Sequence, residues 1–468
     1  MITKRCFTSD DVLWFAAVSG DMNPVHISPV HARRLLTGKV VVHGMYALLW
    51  ALEAYCAEIG EPVTSIAANF LRPIGVDDQL CLIRGEAELG SVRLVIRCEE
   101  TEVVTILLTT GGRCIDLQPS AKRPTQDLPE DSSFSELKQC SGKIQVMALQ
   151  SDLQKEFAHA VRVLGAMPVA SLLALSRLVG MKCPGLHSLF TGLNISLASS
   201  RSESEIDWVV VRHSVPQAPL RLSLEGACIS GHLDAFVRPA PVTQESIDAV
   251  ATEVKPSVFS DQVALVIGGS RGLGELTAKI VAAGGGYSVI TYHQGANDAD
   301  RVVNEINEWG GRSSAIALDV EDPQCAIEQL KKQGVVPTHI YYFAAPRIGS
   351  NKRSDFDVDL WRVFGSVFIE GFARVINRVK ESFETDLKVF YPSTVYIDEQ
   401  LPEFSEYISA KVAGETLCKQ MMKHTKGIKV LVRRLPRVPT DQTAGLIRLT
   451  TEEPLPLMLG VVNEMQLI

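Results

Sequence analysis

Apolar and polar positions along the chain first follow a pattern of one long helix and then several strands. A strongly apolar run at residues 44–59, GMYALLWALEAYCAEI, predicts a buried helix. Three stretches rich in β-branched and apolar residues follow it: SIAANFLRPI, QLCLIRGEAEL and VRLVIRCEETEVVTILLTTGG. Runs of this kind predict strands, so residues 1–114 are expected to fold as a long helix wrapped by an antiparallel sheet.

The same order of elements recurs further along the chain. Residues 115–140 are rich in proline and polar residues with little periodicity, which predicts a linker. Beyond it, residues 141–240 contain an apolar helical run, PVASLLALSRLVG, and then several strand-like runs. A single unit of helix and sheet leaves a sheet edge that normally pairs with a partner. This region therefore predicts a second unit that pairs with the first.

The C-terminal part of the chain has a different pattern. Residues 241–259 form a second polar boundary, and residues 260–468 then alternate strands with helices. The first strand, QVALVIGG, is apolar throughout, as is typical of a parallel sheet covered on both faces. A glycine-rich turn, GGSRGLG, and a helix over residues 275–283 follow. The pattern predicts an α/β domain with a doubly wound parallel sheet.

Composition and charge narrow the possible functions. The length of 468 residues exceeds one compact core, so two or three domains are expected. The net charge of -8 argues against nucleic acid or an anionic membrane as the main partner. The N-terminus lacks a signal-peptide pattern, and no apolar run approaches the ~20 residues that cross a bilayer, which predicts a cytoplasmic protein. Ten scattered cysteines follow no ligand spacing, so neither a metal site nor a disulfide framework is expected.

The densest candidate chemistry lies in the stretch SGDMNPVH, residues 19–26. Asp21 and His26 stand five residues apart, and the glycine, asparagine and proline around them favour an irregular turn that aims both side chains at one point. A turn or helix cap without chemistry is the alternative. Gly44 begins the apolar helix, whose first amides lack intrahelical partners and can hold an oxyanion. Such a set suits the addition of water to an α,β-unsaturated thioester, or its removal.

The segments FAAVSGDMNPVH and GKVVVHGM resemble the signature of MaoC-like hydratases and dehydratases, the R-specific enoyl-CoA hydratase group with a hot-dog fold. The resemblance implies that Asp21 and His26 are the catalytic pair. It also implies that Asn23 supports them and that Gly44 is the backbone donor to the thioester carbonyl. The second unit lacks an Asp-x-Asn-Pro-x-His motif, so an α+β double hot-dog half with one catalytic site is expected.

The glycine turn after QVALVIGG resembles that of short-chain dehydrogenases/reductases, which have a Rossmann-like fold. Such a turn lets backbone amides approach a pyrophosphate. The residues of this turn assigned to the dinucleotide are Gly268, Ser270, Arg271, Gly272, Leu273 and Gly274. The following strand, YSVITYHQG, ends without the acidic residue that binds a ribose 2'-hydroxyl. The cation of Arg271 then favours NADP(H) over NAD, with a surface role for Arg271 as the alternative.

Later motifs extend this resemblance. Tyr407 and Lys411 have the Tyr-x-x-x-Lys spacing, which places both on one helix face. The lysine would lower the phenol pKa and hold the nicotinamide ribose, and the tyrosine would exchange the hydroxyl proton during hydride transfer. The family spacing favours Thr394, and the usual residue type favours Ser393, as the residue that orients the carbonyl. The other residues assigned to the cofactor are Asp319, Ala344 and Thr440.

The chain departs from the reductase pattern at two places. The sequence FAAP at residues 343–346 replaces the usual Asn-Asn-Ala-Gly. Phe368 stands where the family has a helical asparagine that supports a proton relay. These departures leave open whether the domain reduces a carbonyl.

The two resemblances together predict a bifunctional enzyme that reduces a 3-oxoacyl thioester with NADPH and reversibly dehydrates the 3-hydroxyacyl product to the 2-enoyl form. One alternative is a dehydratase with a degenerate or differently specific reductase domain. Another is an acyl-carrier binding module without turnover. The expected partners are acyl-CoA or an acyl carrier protein, and the reductase family implies a homo-oligomer, dimer or tetramer. Acyl chain length and pathway stay open.

Overall fold

The chain divides into two units, Met1–Ala240 and Pro241–Ile468. The computed structural model describes residues 2–32, 39–85, 88, 90–112, 114–115, 117–133, 135–197, 204–213, 219–238, 242–348, 355–440 and 452–468. All ten cysteines fall within these ranges as free thiols. No single helix among the described residues is long and apolar enough to span a membrane. A bent helix pair, Ala158–Leu164 with Ala166–Lys182, reaches that length and composition only as two pieces.

The first unit contains a continuous antiparallel sheet of ten strands. Its strands are β1 (Ile2–Cys6), β2 (Val63–Phe70), β3 (Gln79–Gly85), β4 (Ser91–Cys98), β5 (Thr101–Thr110), β6 (Ser141–Gln145), β7 (Ser188–Leu197), β8 (Glu205–Arg212), β9 (Leu220–Gly226) and β10 (Ile229–Val237). They lie in the order β1-β3-β4-β5-β2-β7-β10-β9-β8-β6. The two five-stranded halves therefore have the same internal strand order, and they join where β2 pairs with β7.

Helices of the first unit pack on this sheet. They are α1 (Ser9–Ser19), α2 (Pro24–Ile27), α3 (Pro29–Ala32), α4 (Gly44–Glu58), α5 (Gln150–Glu156), α6 (Ala158–Leu164) and α7 (Ala166–Arg177). The last of these continues into a π-helical turn, Leu178–Lys182. Apolar residues cover nearly every face of α4, as is typical of a helix that is buried on all sides. The core in which it lies is shared by both halves of the sheet. This confirms the buried helix predicted from the apolar run.

Residues 115–140, whose composition predicts a linker, run against the second half of the sheet. A parallel bridge joins Ser120 to Met147, and an antiparallel bridge joins Asp131 to Gly185. These backbone contacts fix the described part of the segment to the half that follows it.

The second unit contains a parallel sheet of six strands. The strands are β11 (Val263–Ile267), β12 (Tyr287–Tyr292), β13 (Arg312–Ala317), β14 (His339–Tyr342), β15 (Leu387–Thr394) and β16 (Ile428–Leu435). Their order is β13-β12-β11-β14-β15-β16, and every pairing is parallel. The predicted α/β parallel sheet is thus confirmed. The strand order reverses between β11 and β14, and ligands of open α/β sheets bind at the carboxyl ends of strands at such a point.

Helices surround this second sheet. They are α8 (Ile247–Glu253), α9 (Gly272–Ala283), α10 (Ala296–Glu308), α11 (Gln324–Lys332), α12 (Val358–Gly365), α13 (Phe372–Phe383), α14 (Tyr396–Glu399), α15 (Ser405–His424) and α16 (Pro454–Leu467). Between α12 and α13 the helix passes through a π-helical turn, Ser366–Gly371. The predicted helix over residues 275–283 begins three residues earlier, at Gly272, because the glycine turn leads directly into it.

Candidate active sites

The turn that carries Asp21 is formed by the end of α1. Gly20 ends this helix in the left-handed conformation, with φ 76° and ψ 13°, and its amide donates to the Ala16 carbonyl at 2.8 Å. Glycine adopts this conformation without the strain that a side chain brings. The chain reverses here and carries Asp21 into the interior, where 2% of the residue is exposed.

Asn23 attaches the motif to the π-helical turn after α7 and to the turn that leads into β7. Its side-chain oxygen accepts from the Val25 amide at 3.2 Å and so caps α2. Its Nδ2 donates to the backbone carbonyls of Gly180 and Gly185 at 2.8 and 3.1 Å. Asn23 therefore fixes the turn both to the helix that follows it, α2, and to the backbone around Gly180 and Gly185.

The Asp21 carboxyl lies against residues of the second half. Ser176 of α7 donates from Oγ to Asp21 Oδ2 at 2.7 Å. Burial raises the pKa of Asp21, and the proximity of His26 and the hydrogen bond from Ser176 oppose this shift only in part. The carboxyl is therefore better able to hold a proton than an exposed aspartate.

His26 lies beside Asp21 with one ring nitrogen occupied. Its Nδ1 is 2.6 Å from the Val41 carbonyl oxygen. A carbonyl oxygen only accepts, so Nδ1 carries the proton of the neutral ring and Nε2 is left with a lone pair. Burial lowers the pKa of His26, and the nearby Asp21 charge opposes that shift. A neutral imidazole with a lone pair at Nε2 is suited to act as a general base.

His43, which the sequence analysis leaves unassigned, packs directly on His26. The two rings are stacked, with centroids 3.7 Å apart and an interplanar angle of 23°. Nε2 of His43 donates to the Asp21 backbone oxygen at 3.0 Å, and Nδ1 is buried with no partner among the described residues. Burial holds the pKa of His43 well below its usual value. His43 is thus a neutral ring that positions the Asp21 backbone and covers one face of His26.

Polar atoms of Asp21, His26 and His43 all lie within 4.8 Å of one another. Such a cluster raises the question of a metal ion. The imidazoles of His26 and His43 are stacked face to face, so their in-plane lone pairs lie in nearly parallel planes. The two rings therefore cannot coordinate the same ion together in the geometry that Zn²⁺ requires. The arrangement favours proton transfer over metal binding.

The N-terminus of α4 begins directly after His43. In the described part of the chain, the amides of Gly44 and Met45 donate to no protein acceptor, and His43 makes no side-chain cap. A Cβ added at Gly44 would lie 3.0 Å from Phe70 Cδ1, which is tighter than real Cβ atoms normally tolerate. Glycine therefore allows the helix end to approach the Phe70 ring. The two amides remain available to a carbonyl oxygen beside the acid–base pair.

The glycine turn of the second unit is tightly packed. Gly268 has φ 78°, and a Cβ there would lie 3.0 Å from the Ala344 amide nitrogen. A side chain at Gly274 would collide with the Gly268 carbonyl. Three backbone segments thus meet where only glycine fits: the end of β11, the start of α9 and the end of β14. Without side chains in the way, the backbone amides of the turn can closely approach a pyrophosphate.

The remaining cofactor candidates lie around this turn or one strand away. Arg271 has extended backbone at the N-cap of α9, Ser270 precedes it in the turn, and Leu273 lies in the first turn of the helix. A Cβ at Gly272 would lie 3.9 Å from Thr440 Cγ2, so Thr440 is brought to the turn. Asp319 follows β13 and lies 3.9 Å from His293 Nδ1. Residues 441–451, beyond Thr440, lie outside the described residues.

Tyr407 on α15 contacts one of the two candidate hydroxyl residues at the end of β15. It is hydrogen-bonded to Thr394. Ser393 instead donates to Glu415 at 2.6 Å. Burial raises the pKa of Tyr407, and the Thr394 hydrogen bond only opposes this shift. Burial therefore outweighs the lowering of the pKa that the sequence predicts from the neighbouring lysine.

Lys411 is buried between aromatic rings, one turn after Tyr407. It donates to the Pro392 carbonyl at 2.7 Å, and its Nζ lies 3.8 Å from the centre of the Phe368 ring. Burial lowers the pKa of Lys411 to about 7. An apolar ring, that of Phe368, therefore lies directly against the Lys411 amine.

The structure adds three residues near Asp21 that the sequence analysis did not assign: Ser176, Gly180 and His43. Ser176 and Gly180 are more than 150 positions away in sequence, and no local pattern connects them to the motif. His43 belongs to the VVVHGM segment, and its position directly before Gly44 is the sequence signal that points to it.

Two family models match the chain. The MaoC like domain matches residues 2–107, and the short chain dehydrogenase model matches residues 262–446. The chain thus contains a MaoC-like domain at its N-terminus and a short-chain dehydrogenase domain in its C-terminal region. Both families predicted from the motifs are confirmed.

Among individual proteins, the chain is 27% identical over 191 residues to an NADPH-dependent aldehyde reductase-like protein, chloroplastic, of Arabidopsis thaliana, covering 37% of this chain and 70% of that protein. It is 44% identical over 76 residues to a 3-oxoacyl-(acyl-carrier-protein) reductase of Synechocystis sp., covering 16% and 30%. It is 32% identical over 80 residues to a 3-hydroxybutyryl-CoA dehydratase of Methylorubrum extorquens, covering 16% and 51%. The last two similarities span about half or less of those relatives.

A similar solved structure is the FolM alternative dihydrofolate reductase 1 from Brucella canis complexed with NADP. It is 18% identical with a TM-score of 0.40, and the match covers 46% of this chain and 90% of that chain.

Proposed function

We propose that the chain is a bifunctional acyl-thioester enzyme. The MaoC-like domain interconverts 3-hydroxyacyl and 2-enoyl thioesters, and the dehydrogenase domain reduces the 3-oxoacyl thioester that precedes them. The observation that carries the proposal is the cluster of Asp21 and His26 in a buried site, next to the open N-terminus of α4. The names of two relatives, a 3-hydroxybutyryl-CoA dehydratase and a 3-oxoacyl-(acyl-carrier-protein) reductase, match the two steps.

In dehydration, His26 takes the proton from C2 of the 3-hydroxyacyl thioester at Nε2. The thioester oxygen gains charge as this bond breaks, and the amides of Gly44 and Met45 stabilise it. Asp21, whose raised pKa favours the protonated form, gives its proton to the C3 hydroxyl, which leaves as water. The C2–C3 double bond forms, and the proton on His26 returns to Asp21 to restore the starting state. Hydration is the reverse.

The proposal includes the domain layout. Residues 1–114 and 141–240 form two hot-dog units, residues 115–140 and 241–259 connect domains, and residues 260–468 form the reductase domain. The identical strand order of the two five-stranded halves supports a pair of related units. The second hot-dog unit, residues 141–240, then completes the sheet and has no acid–base pair of its own.

In the reductase domain the glycine turn and the end of β14 fit a dinucleotide. The glycines have no side chains, so the backbone amides of the turn can approach a pyrophosphate closely. We assign NADP(H) as the cofactor, with Arg271 toward the 2'-phosphate and Lys411 toward the nicotinamide ribose. NADPH supplies a hydride when bound. Tyr407 gives its hydroxyl proton to the substrate oxygen, and Thr394, which is hydrogen-bonded to Tyr407, orients the carbonyl.

A dehydratase with a degenerate reductase domain is the second candidate. It is favoured by Phe368, whose ring lies 3.8 Å from Lys411 Nζ where the family has a polar relay residue. This candidate predicts hydration without NADPH oxidation.

One activity screen separates the candidates. The full chain is mixed with crotonyl or acetoacetyl groups carried by coenzyme A or by an acyl carrier protein, with and without NADPH. Loss of enoyl absorbance reports hydration, and loss of NADPH absorbance reports reduction. Both activities support the bifunctional proposal, hydration alone supports the second candidate, and tight carrier binding with neither activity contradicts both.

A further inference from the structure

Two residues of the second half enclose the Asp21 carboxyl. Ser176 is 3% exposed and lies on the last turn of α7, and Gly180 lies in the π-helical turn that follows. A helical serine commonly bonds back to the carbonyl four residues earlier. Ser176 instead donates to Asp21 Oδ2 at 2.7 Å. The hydroxyl is thus directed out of its own helix and toward the motif.

Gly180 leaves the space in which this carboxyl lies. Its φ is not positive, so the backbone conformation does not demand glycine. A Cβ added there would collide with the carboxyl of Asp21, whose oxygens and Cγ are the nearest atoms. Asn23 also donates to the Gly180 carbonyl at 2.8 Å, which fixes this turn against the motif. Local π-helical turns of this kind are frequent at functional sites.

We propose that Ser176 is a positioning residue for Asp21 and that Gly180 keeps the room its carboxyl needs, so that the second half completes the hydration site. This inference rests on the proposed hydration function. A donor on Oδ2 fixes the rotation of the carboxyl and makes its two oxygens inequivalent. It also favours the ionised form, which the carboxyl must reach after giving its proton away.

The groups that set the protonation of Asp21 come from three elements. His26 on α2 and Arg177 on α7 favour its ionised form, as do the Ser176 hydroxyl and the Asn23 backbone amide, which donates to Asp21 Oδ1 at 3.4 Å. His43, at the N-cap of α4, is held neutral by burial and contacts the Asp21 backbone. Loss of Ser176 would therefore raise the pKa of Asp21 further while leaving the other charges in place.

Ser171 offers a matched control for Ser176. It lies on the same helix, is 0% exposed, and donates from Oγ to the Ala227 carbonyl at 2.8 Å, away from the motif. Ser176→Ala and Ser171→Ala each remove one buried hydroxyl and its hydrogen bond. Only Ser176→Ala is expected to lower kcat for crotonyl-CoA hydration, by about tenfold or more, with little change in KM. It should also move the limb of the pH–rate profile that reports Asp21 to higher pH.

Equal kcat values and superimposable pH–rate profiles for Ser176→Ala and Ser171→Ala would overturn the inference. A wild-type chain without hydration activity would instead defeat the proposed function, and the inference then depends on a direct titration. Carbon-13 NMR of aspartate-labelled chain, with Asp21→Asn to assign the signal, follows the carboxyl itself. A higher titration midpoint in Ser176→Ala than in Ser171→Ala supports the positioning role, and an unchanged midpoint refutes it.

Discussion

Reduction by the second domain is predicted to weaken as pH rises through neutrality, because Lys411 loses its charge there. Burial lowers the pKa of this amine from its ordinary 10.5 to about 7. Its near surroundings are the Pro392 carbonyl and the rings of Phe368, Tyr391 and Tyr407. The carbonyl is a single neutral acceptor, and the rings attract a cation only weakly compared with the water they displace.

The size of the effect follows from that value. With a pKa of about 7, the charged fraction of Lys411 falls from about 90% at pH 6 to about 10% at pH 8. If the charged amine is needed, kcat/KM for acetoacetyl-thioester reduction falls about tenfold over this range.

The lowered pKa of Lys411 also affects the stability of the fold. The unfolded chain binds more protons than the folded chain between pH 7 and 10.5, so this group makes the fold more stable as pH rises through that window.

The assay is the initial rate of NADPH oxidation between pH 6 and 8, for wild type and for Lys411→Arg. Arginine keeps its charge throughout this range, so the variant is expected to be slower but independent of pH. A wild-type rate that stays constant from pH 6 to 8, or a variant with the same tenfold fall, would show that the charge of Lys411 does not govern reduction.

Substitutions at Gly44 and Arg271 test two other assigned groups. Gly44→Ala places a Cβ 3.0 Å from the Phe70 ring and should displace the start of α4, lowering kcat for hydration about tenfold. Adding Phe70→Leu makes room and should restore much of the rate, and an unaltered kcat in Gly44→Ala would argue against an oxyanion role for these amides. Arg271→Ala should raise KM for NADPH about tenfold and KM for NADH little, since only the former carries the 2'-phosphate. Equal changes for both cofactors would contradict the assignment of Arg271.

Local motifs were predictable where the chain itself supplies the geometry. The turn of SGDMNPVH depends on Gly20 in the left-handed conformation and on Asn23 as a cap, and both are short-range properties of residue type. The apolar run of α4 and the continuous apolar strand β11 likewise reported burial directly. Fold class and the two candidate sites therefore followed from the sequence.

Contacts across the sheet were not predictable in this way. Ser176 and Gly180 reach Asp21 only because β2 pairs with β7 and brings the two halves together. The choice between Ser393 and Thr394 also required coordinates. Ser393 contacts Glu415 and Thr394 contacts Tyr407, although both partners lie on α15, so spacing and residue type alone do not decide between the two hydroxyl residues.

We propose that Asp21 and His26 act on an acyl thioester without the participation of Tyr407. The most direct measurement is the rate of crotonyl-CoA hydration, followed by enoyl absorbance, for wild type, Asp21→Asn, His26→Ala and Tyr407→Phe. We expect a loss of about 10²–10⁴-fold in the first two variants and an unchanged rate in Tyr407→Phe. Hydration at the wild-type rate in Asp21→Asn and His26→Ala would contradict it.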